Sequence, residues 1–120
     1  MAVYTPIDKS TSFMNPLKYT GTGTSNALTG LGFQPDLVWI KNVSGTDTPI
    51  LANSVSGATK YLVNSQTYSQ STNVESVKSF DADGFTVGTQ GAVNDNTDTM
   101  RSWNWKMGTT SGITTNGSTT

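Results

Sequence analysis

Residues 36–42 have the sequence Asp-Leu-Val-Trp-Ile-Lys-Asn and are the clearest strand in the chain. Apolar residues fill the middle of this segment, and polar residues stand at both ends. Val, Trp and Ile favour a pleated sheet because their side chains pack well on its surface. A short, continuous apolar run of this kind is typical of a strand that is buried on both faces. We therefore expect residues 36–42 to be a central strand of a β-sheet.

Shorter β-prone segments lie on both sides of this strand. They are residues 18–20, 49–52, 60–63, 74–80, 85–87 and 100–107. Stretches rich in Gly, Asn, Ser and Thr separate them, and no window shows the apolar stripe of a helix. This spacing predicts an all-β fold, namely an antiparallel β-sandwich, jelly-roll-like, with short strands and extended termini.

Composition and length agree with one small β-domain. Of the 120 residues, 33% are hydrophobic, 12% are charged and 12 are Gly. We expect residues 1–17 to be an extended N-terminal arm, residues 18–107 the β-sandwich module, and residues 108–120 a flexible Thr/Ser/Gly linker or tail. The large side chains of the arm, which we expect to anchor it on neighbouring proteins, are Tyr4, Ile7, Phe13 and Met14.

Residues 81–84, Asp-Ala-Asp-Gly, connect two of the β-prone segments. Asp-Gly between β-prone residues predicts a β-hairpin. The two aspartates also resemble the opening of an EF-hand calcium loop. Such a loop requires a bidentate Glu at its twelfth position, and that position is Ala92 here. The hairpin is therefore the favoured interpretation, and no metal site is predicted.

Residues 100–107 alternate regularly and predict a strand with two distinct faces. One face carries Arg101, Trp103, Trp105 and Met107, and the other carries Ser102, Asn104 and Lys106. If the tryptophans are exposed, they could form a sugar-stacking platform together with Trp39. If they are buried, they fill the core, and this interpretation is favoured because a chain with few aliphatic residues needs large side chains inside. Tyr68, in a polar stretch, is the aromatic residue expected to be more exposed.

The absence of Cys and His argues against catalysis. Disulfides, thiolate metal sites and Ser-His-Asp or Cys-His arrangements are all excluded within this chain. Asp95 and Asp98, together with Asp81 and Asp83, could be considered as candidates for a glycosidase carboxylate pair. A pair of that kind requires one shielded acid, whereas these residues lie in polar turns. We expect no enzyme, no catalytic residue and no cofactor.

The charge distribution argues against nucleic acid and membranes as partners. The formal net charge is −1, and the Lys and Arg residues are scattered singly along the sequence. Nucleic-acid binding requires a cluster of such residues, and an anionic membrane surface requires one as well. The longest strongly apolar stretch, residues 37–40, is far too short to span a bilayer.

Several blocks of the sequence resemble a module that recurs in structural and tail-fibre-like proteins of tailed phages, especially marine and cyanobacterial ones. The blocks are residues 19–23, 31–42, 57–62, 80–88 and 103–106. The resemblance covers roughly residues 18–107. In such proteins a concanavalin or SPRY-type lectin sandwich often follows, and none is expected within these 120 residues. Residues 51–56 depart from the usual pattern, which has an Asp and an Arg there, so any ion pair made by those residues in relatives is missing.

The resemblance implies a place in a virion and supplies no catalytic residues. We expect a non-enzymatic virion component, either a capsid decoration protein or a tail-fibre module, assembled in the host cytoplasm. Its partners would be the major capsid protein or tail proteins, and a homo-oligomer is expected, with a trimer favoured. The alternative is a carbohydrate-binding adhesin that recognises a host-surface glycan. The residues proposed to contact a ligand or partner are Tyr68, Trp103, Trp105, Asp95 and Asp98.

Overall fold

Nine β-strands and two short helical segments make up residues 10–107, which are the residues that the computed structural model describes. The strands are β1 (Leu17–Thr20), β2 (Asn26–Leu28), β3 (Leu37–Asn42), β4 (Ile50–Asn53), β5 (Lys60–Tyr61), β6 (Ser71–Thr72), β7 (Val77–Asp81), β8 (Gly84–Val87) and β9 (Thr99–Trp105). The helical segments are a 3-10 turn (Ser10–Ser12) and α1 (Gly91–Asn94).

The largest sheet has four antiparallel strands in the order β1-β9-β3-β4. The first and last strands of the described chain are therefore neighbours, and β3 and β9 occupy the middle. β3 is central, as its apolar run predicts. The expectation that it is buried on both faces is wrong, because only Val38, Ile40 and Asn42 are buried. Its other side chains lie on a face that is only half-buried.

A second sheet, with the order β2-β8-β7, contributes the opposite wall of the core. The core combines side chains from both sheets and from α1. Its fully buried members include Val38, Ile40, Ile50, Val77, Phe85, Val87, Val93 and Met100. A small two-stranded sheet, β5-β6, meets β4 through a bridge between Leu51 and Leu62. The antiparallel, all-β, sandwich-like architecture is confirmed.

The predicted hairpin is present as β7 and β8, with Asp81 paired to Gly84. Its two-residue turn consists of Ala82 and Asp83, and neither has a positive φ angle. Gly84 is instead required by its neighbour, because a Cβ at this position would lie 1.8 Å from the carbonyl oxygen of Leu28 on β2. The glycine therefore allows the approach of β2 and does not form the turn itself.

Residues 13–16 continue the pairing of β1 with β9. Met14 is bridged to Trp105, and the amide of Asn15 donates to the carbonyl of Asn104 at 3.0 Å. Phe13 accepts a 2.7 Å hydrogen bond from the amide of Lys106 and is 40% exposed. The end of the expected arm is thus bound to the sheet of its own chain. Tyr4, Ile7 and residues 108–120 lie outside the described residues.

Candidate functional site

The four-stranded sheet has one face toward the core and one away from it. On each strand, buried side chains alternate with half-buried or exposed ones. Successive side chains of a strand point to opposite faces, so the less buried set defines a second face, here called the outer face. Its members include Lys18 on β1, Leu37, Trp39 and Lys41 on β3, Leu51 and Asn53 on β4, and Arg101, Trp103 and Trp105 on β9.

The strand register places apolar side chains of the outer face in a continuous line across the sheet. Trp39 is paired with Trp103 on β9 and with Leu51 on β4, and Leu51 is paired with Leu62. The ring centroids of Trp39 and Trp103 are 5.2 Å apart and the rings are tilted by 40°, which is within the range of favourable aromatic pairs. These four residues are called the apolar row. Trp105, paired with Leu37, extends the apolar surface.

The preferred interpretation of Trp103 and Trp105 as core residues is wrong. Their strand alternates as predicted, but the buried side chains are Met100, Ser102 and Asn104, and both tryptophans are half-buried on the outer face. The inner polar residues are accommodated by hydrogen bonds. The Asn104 amide nitrogen donates to the Asn15 carbonyl at 2.9 Å and to Ser102 Oγ at 3.0 Å. These bonds offset part of the desolvation cost of the inner polar residues, while the Oδ1 atom of Asn104 is buried without a hydrogen-bond partner.

Next to the apolar row, positive side chains are paired across the same strands. Arg101 is paired with Lys18 on β1 and with Lys41 on β3. These three residues are called the cationic row. Lys41 Nζ donates to the carbonyls of Asn42 and Gly45. Among residues 10–107 the only ion pair joins Lys78 to Glu75, so no described carboxylate neutralises the cationic row.

A depression of about 220 Å³ lies where the two rows meet beside β1. It is lined by Pro16, Leu17, Lys18, Arg101, Ser102 and Trp103. In an antiparallel pair, every second residue directs its backbone amide and carbonyl toward the partner strand. The amide of Asn15 donates to Asn104 on β9, so the backbone groups of Pro16 and Lys18 point away from β9. A proline at position 16 therefore removes no hydrogen bond between β1 and β9. Side chains at such positions are close to their partners, so Lys18 and Arg101 are near neighbours.

The other residues proposed from the sequence lie apart from these rows. Tyr68 is 67% exposed in the connection between β5 and β6. Asp95 accepts a hydrogen bond from the amide of Asn96, and Asp98 accepts one from the side chain of Asn42 at 2.7 Å. In the described hydrogen bonds, these residues make none to the tryptophans. For Asp95 and Asp98, these hydrogen bonds indicate local roles in their loops.

Buried asparagines hold these loops in place, and the sequence gives little sign of them. Asn94, which is fully buried, donates to the Gly88 carbonyl at 2.8 Å and accepts from the amide of Thr22 at 2.9 Å. Asn42 donates to both Asp47 and Asp98 and accepts from the amides of Ser44 and Gly45. Asn is equally common in exposed turns, so composition alone could not identify these two as structural.

Two titratable side chains away from the outer face have altered pKa values. Burial raises the pKa of the Tyr19 hydroxyl well above its usual value of 10.0, and the hydroxyl donates to the carbonyl of Val93 at 2.6 Å. The hydrogen bond that the backbone amide of Thr89 donates to Glu75 lowers the pKa of that carboxyl, and Lys78 contributes in the same direction. Both shifts arise from contacts that maintain the fold.

Within residues 10–107, no group of three or more Asp and Glu side chains converges on a point where a metal ion could be held. No helix in this part of the chain is long and apolar enough to cross a membrane.

A family model matches residues 9–120, almost the whole chain. The chain belongs to the family described as Domain of unknown function (DUF7483). No curated protein and no solved structure matches this DUF7483 domain. The description of the family assigns no activity, so any function is inferred from the residues of the outer face and from the resemblance noted above.

Proposed function

We propose that this DUF7483 domain is a non-enzymatic structural component of a tailed-phage virion, acting through protein–protein contacts made by the outer face. The supporting observation is the apolar row, in which two tryptophans and two leucines are aligned across the sheet without being part of the core. Aromatic residues are enriched where protein interfaces form their central contacts. The resemblance to phage modules supports a virion as the setting.

The proposed partners are the major capsid protein or tail proteins, together with further copies of this chain in a homo-oligomer, with a trimer favoured. A small domain with a modest core gains stability when such a face is covered. Trp39, Trp103 and Leu51 are half-buried and Leu62 is exposed, so the row leaves apolar surface for a partner to cover.

Immunogold labelling of intact virions from the source of the sequence tests the location. We expect gold on the particles. Gold over the head would assign a capsid decoration protein, and gold at the tail would assign a fibre or appendage module. Purified particles that carry no label, while the antibody still recognises the free chain, would contradict the proposal.

Substitutions on and off the outer face test the contact surface. Leu62 and Val74 are both exposed, at 40% and 65%, but only Leu62 belongs to the apolar row. A tagged Leu62→Lys chain supplied during infection should enter particles several-fold less than the wild-type chain. The matched Val74→Lys chain should enter normally. Equal incorporation of the two variants would argue against the outer face as the contact.

A second candidate function, a carbohydrate-binding module of the same virion, is favoured by the depression beside Trp103. An aromatic side chain and two cations meet there. Glycan sites on repeated virion proteins are individually weak and gain strength from their number.

A further inference from the structure

We propose that the depression beside Trp103 binds one acidic sugar residue of a glycan, with the ring against Trp103 and its carboxylate between Lys18 and Arg101. This inference rests on the second candidate function and names the class of its ligand.

The first argument is the unbalanced charge of the cationic row. Like charges directly opposite each other on neighbouring strands are destabilising, yet Arg101 has a cation on each side. Lys41 is committed to backbone carbonyls. Lys18 and Arg101 have no ion-pair partner among the described residues and line the depression. A bound carboxylate would neutralise this pair, since Arg and Lys form their strongest hydrogen bonds with such groups.

The second argument is size. The depression has a volume of about 220 Å³, which is below the roughly 300–1,000 Å³ of pockets for drug-sized ligands. It therefore fits a single ring. Trp103 provides an aromatic wall on which the apolar C–H face of a sugar ring can lie. Pro16 provides a rigid wall on the β1 side.

The chemistry of the lining favours an acidic sugar over other occupants. None of the six lining residues is a carboxylate or an amide, the groups that usually bind the hydroxyls of a neutral sugar. An acidic peptide could neutralise Lys18 and Arg101, but an Asp or Glu side chain has no ring to cover Trp103. Nucleic-acid binding needs cations spread along a strand of phosphates, whereas this row is confined to one short line across the sheet.

The test is a titration of the full chain, followed through the NMR resonance of the Trp103 indole. The probes are trigalacturonate and 3′-sialyllactose, with the methyl ester of trigalacturonate and lactose as neutral controls, and hexaglutamate as the acidic peptide. We expect at least one acidic sugar to shift the Trp103 signal, more weakly at high salt, and the neutral sugars to have no effect.

Two variants, one on β9 and one just after its last residue, complete the test. Arg101→Gln should weaken binding by about tenfold, which corresponds to the loss of one charge-assisted contact. Lys106 is exposed just after β9 and does not line the depression, so Lys106→Gln should bind normally. The inference is overturned if neither acidic sugar binds, if Arg101→Gln binds as well as the wild type, or if hexaglutamate binds as tightly as the sugars. These outcomes concern the free chain, so they are independent of the immunogold result.

Discussion

At the residue scale, Tyr19 is a single side chain whose contribution to the free energy of unfolding can be predicted from its contacts. Its ring is in the core and its hydroxyl donates to the Val93 carbonyl at 2.6 Å. Tyr19→Phe removes the donor and leaves a buried carbonyl without its partner. We expect the free energy of unfolding at pH 7 to fall by about 1–2 kcal/mol, the typical cost of such a loss. Chemical denaturation of both proteins measures it.

The same substitution should respond to alkaline pH. Burial raises the pKa of Tyr19 in the folded chain above its usual value of 10.0. The contribution of the neutral hydroxyl to the free energy of unfolding is therefore fully present below pH ~10. It is lost as the pH rises further, because the unfolded chain then releases the proton and the folded chain retains it. The deficit of Tyr19→Phe relative to the wild type should shrink above pH ~10. A deficit that stays constant through this range would contradict the assignment.

At the scale of elements, the longer strands were predictable and the orientation of their faces was not. The apolar run of β3, the alternation of β9 and the β7–β8 hairpin all follow from local sequence. Which face of β9 points inward depends on partners far along the chain, since the amide nitrogen of the inner Asn104 donates to the carbonyl of Asn15. A prediction from hydrophobicity alone would place the tryptophan face of β9 inward. The Trp103–Arg101–Lys18 grouping was unpredictable for the same reason, because it requires the β1–β9 register.

The elements that the sequence did not reveal depend on tertiary contacts. β2 and β6 are only three and two residues long, too short for a visible alternation. α1 has four residues and begins with Gly, so it has no helical stripe. Buried Ala92 and Val93 hold it against the core, and Asn94 joins it to the loop after β1.

Asn94→Ala tests that junction. The change leaves the amide of Thr22 and the carbonyl of Gly88 without their partners. An unsatisfied buried group costs about 1–3 kcal/mol, and the Thr22 bond is only partly buried, so we expect a loss of about 2 kcal/mol in the free energy of unfolding. Asn96→Ala, two positions away and exposed, should change it by less than about 0.5 kcal/mol. Similar losses in the two variants would show that Asn94 is not the junction.

At the scale of the whole molecule, the two ends of the described chain meet in one sheet. β1 is paired with β9 from Leu17 to Thr20, and the bridge at Met14 continues the same register toward the N-terminus. The boundary between an arm and the domain therefore lies before Phe13. A deletion of residues 1–17 would remove part of the sheet along with any anchoring contact, and could not separate the two effects.

Two truncated chains distinguish the loss of part of the sheet from the loss of an anchoring contact. A chain that starts at residue 13 keeps every strand pairing described here and should unfold cooperatively, as followed by circular dichroism. A chain that starts at residue 21 loses Tyr19 from the core and the β1 side of the depression. Truncating a large buried aromatic residue alone costs about 3–5 kcal/mol, against about 5–15 kcal/mol for a whole domain, so we expect this chain to lose most of its stability.

Incorporation into particles can then be interpreted for the first truncation alone. If the chain starting at residue 13 folds but enters virions several-fold less than the full chain, residues 1–12 contribute an anchoring contact that the sheet does not supply. If it enters equally well, Tyr4 and Ile7 are not anchors, and the outer face is the remaining candidate contact. In that case Leu62→Lys introduced into the truncated chain should lower incorporation several-fold, as it should in the full chain, while Val74→Lys in the same background should not.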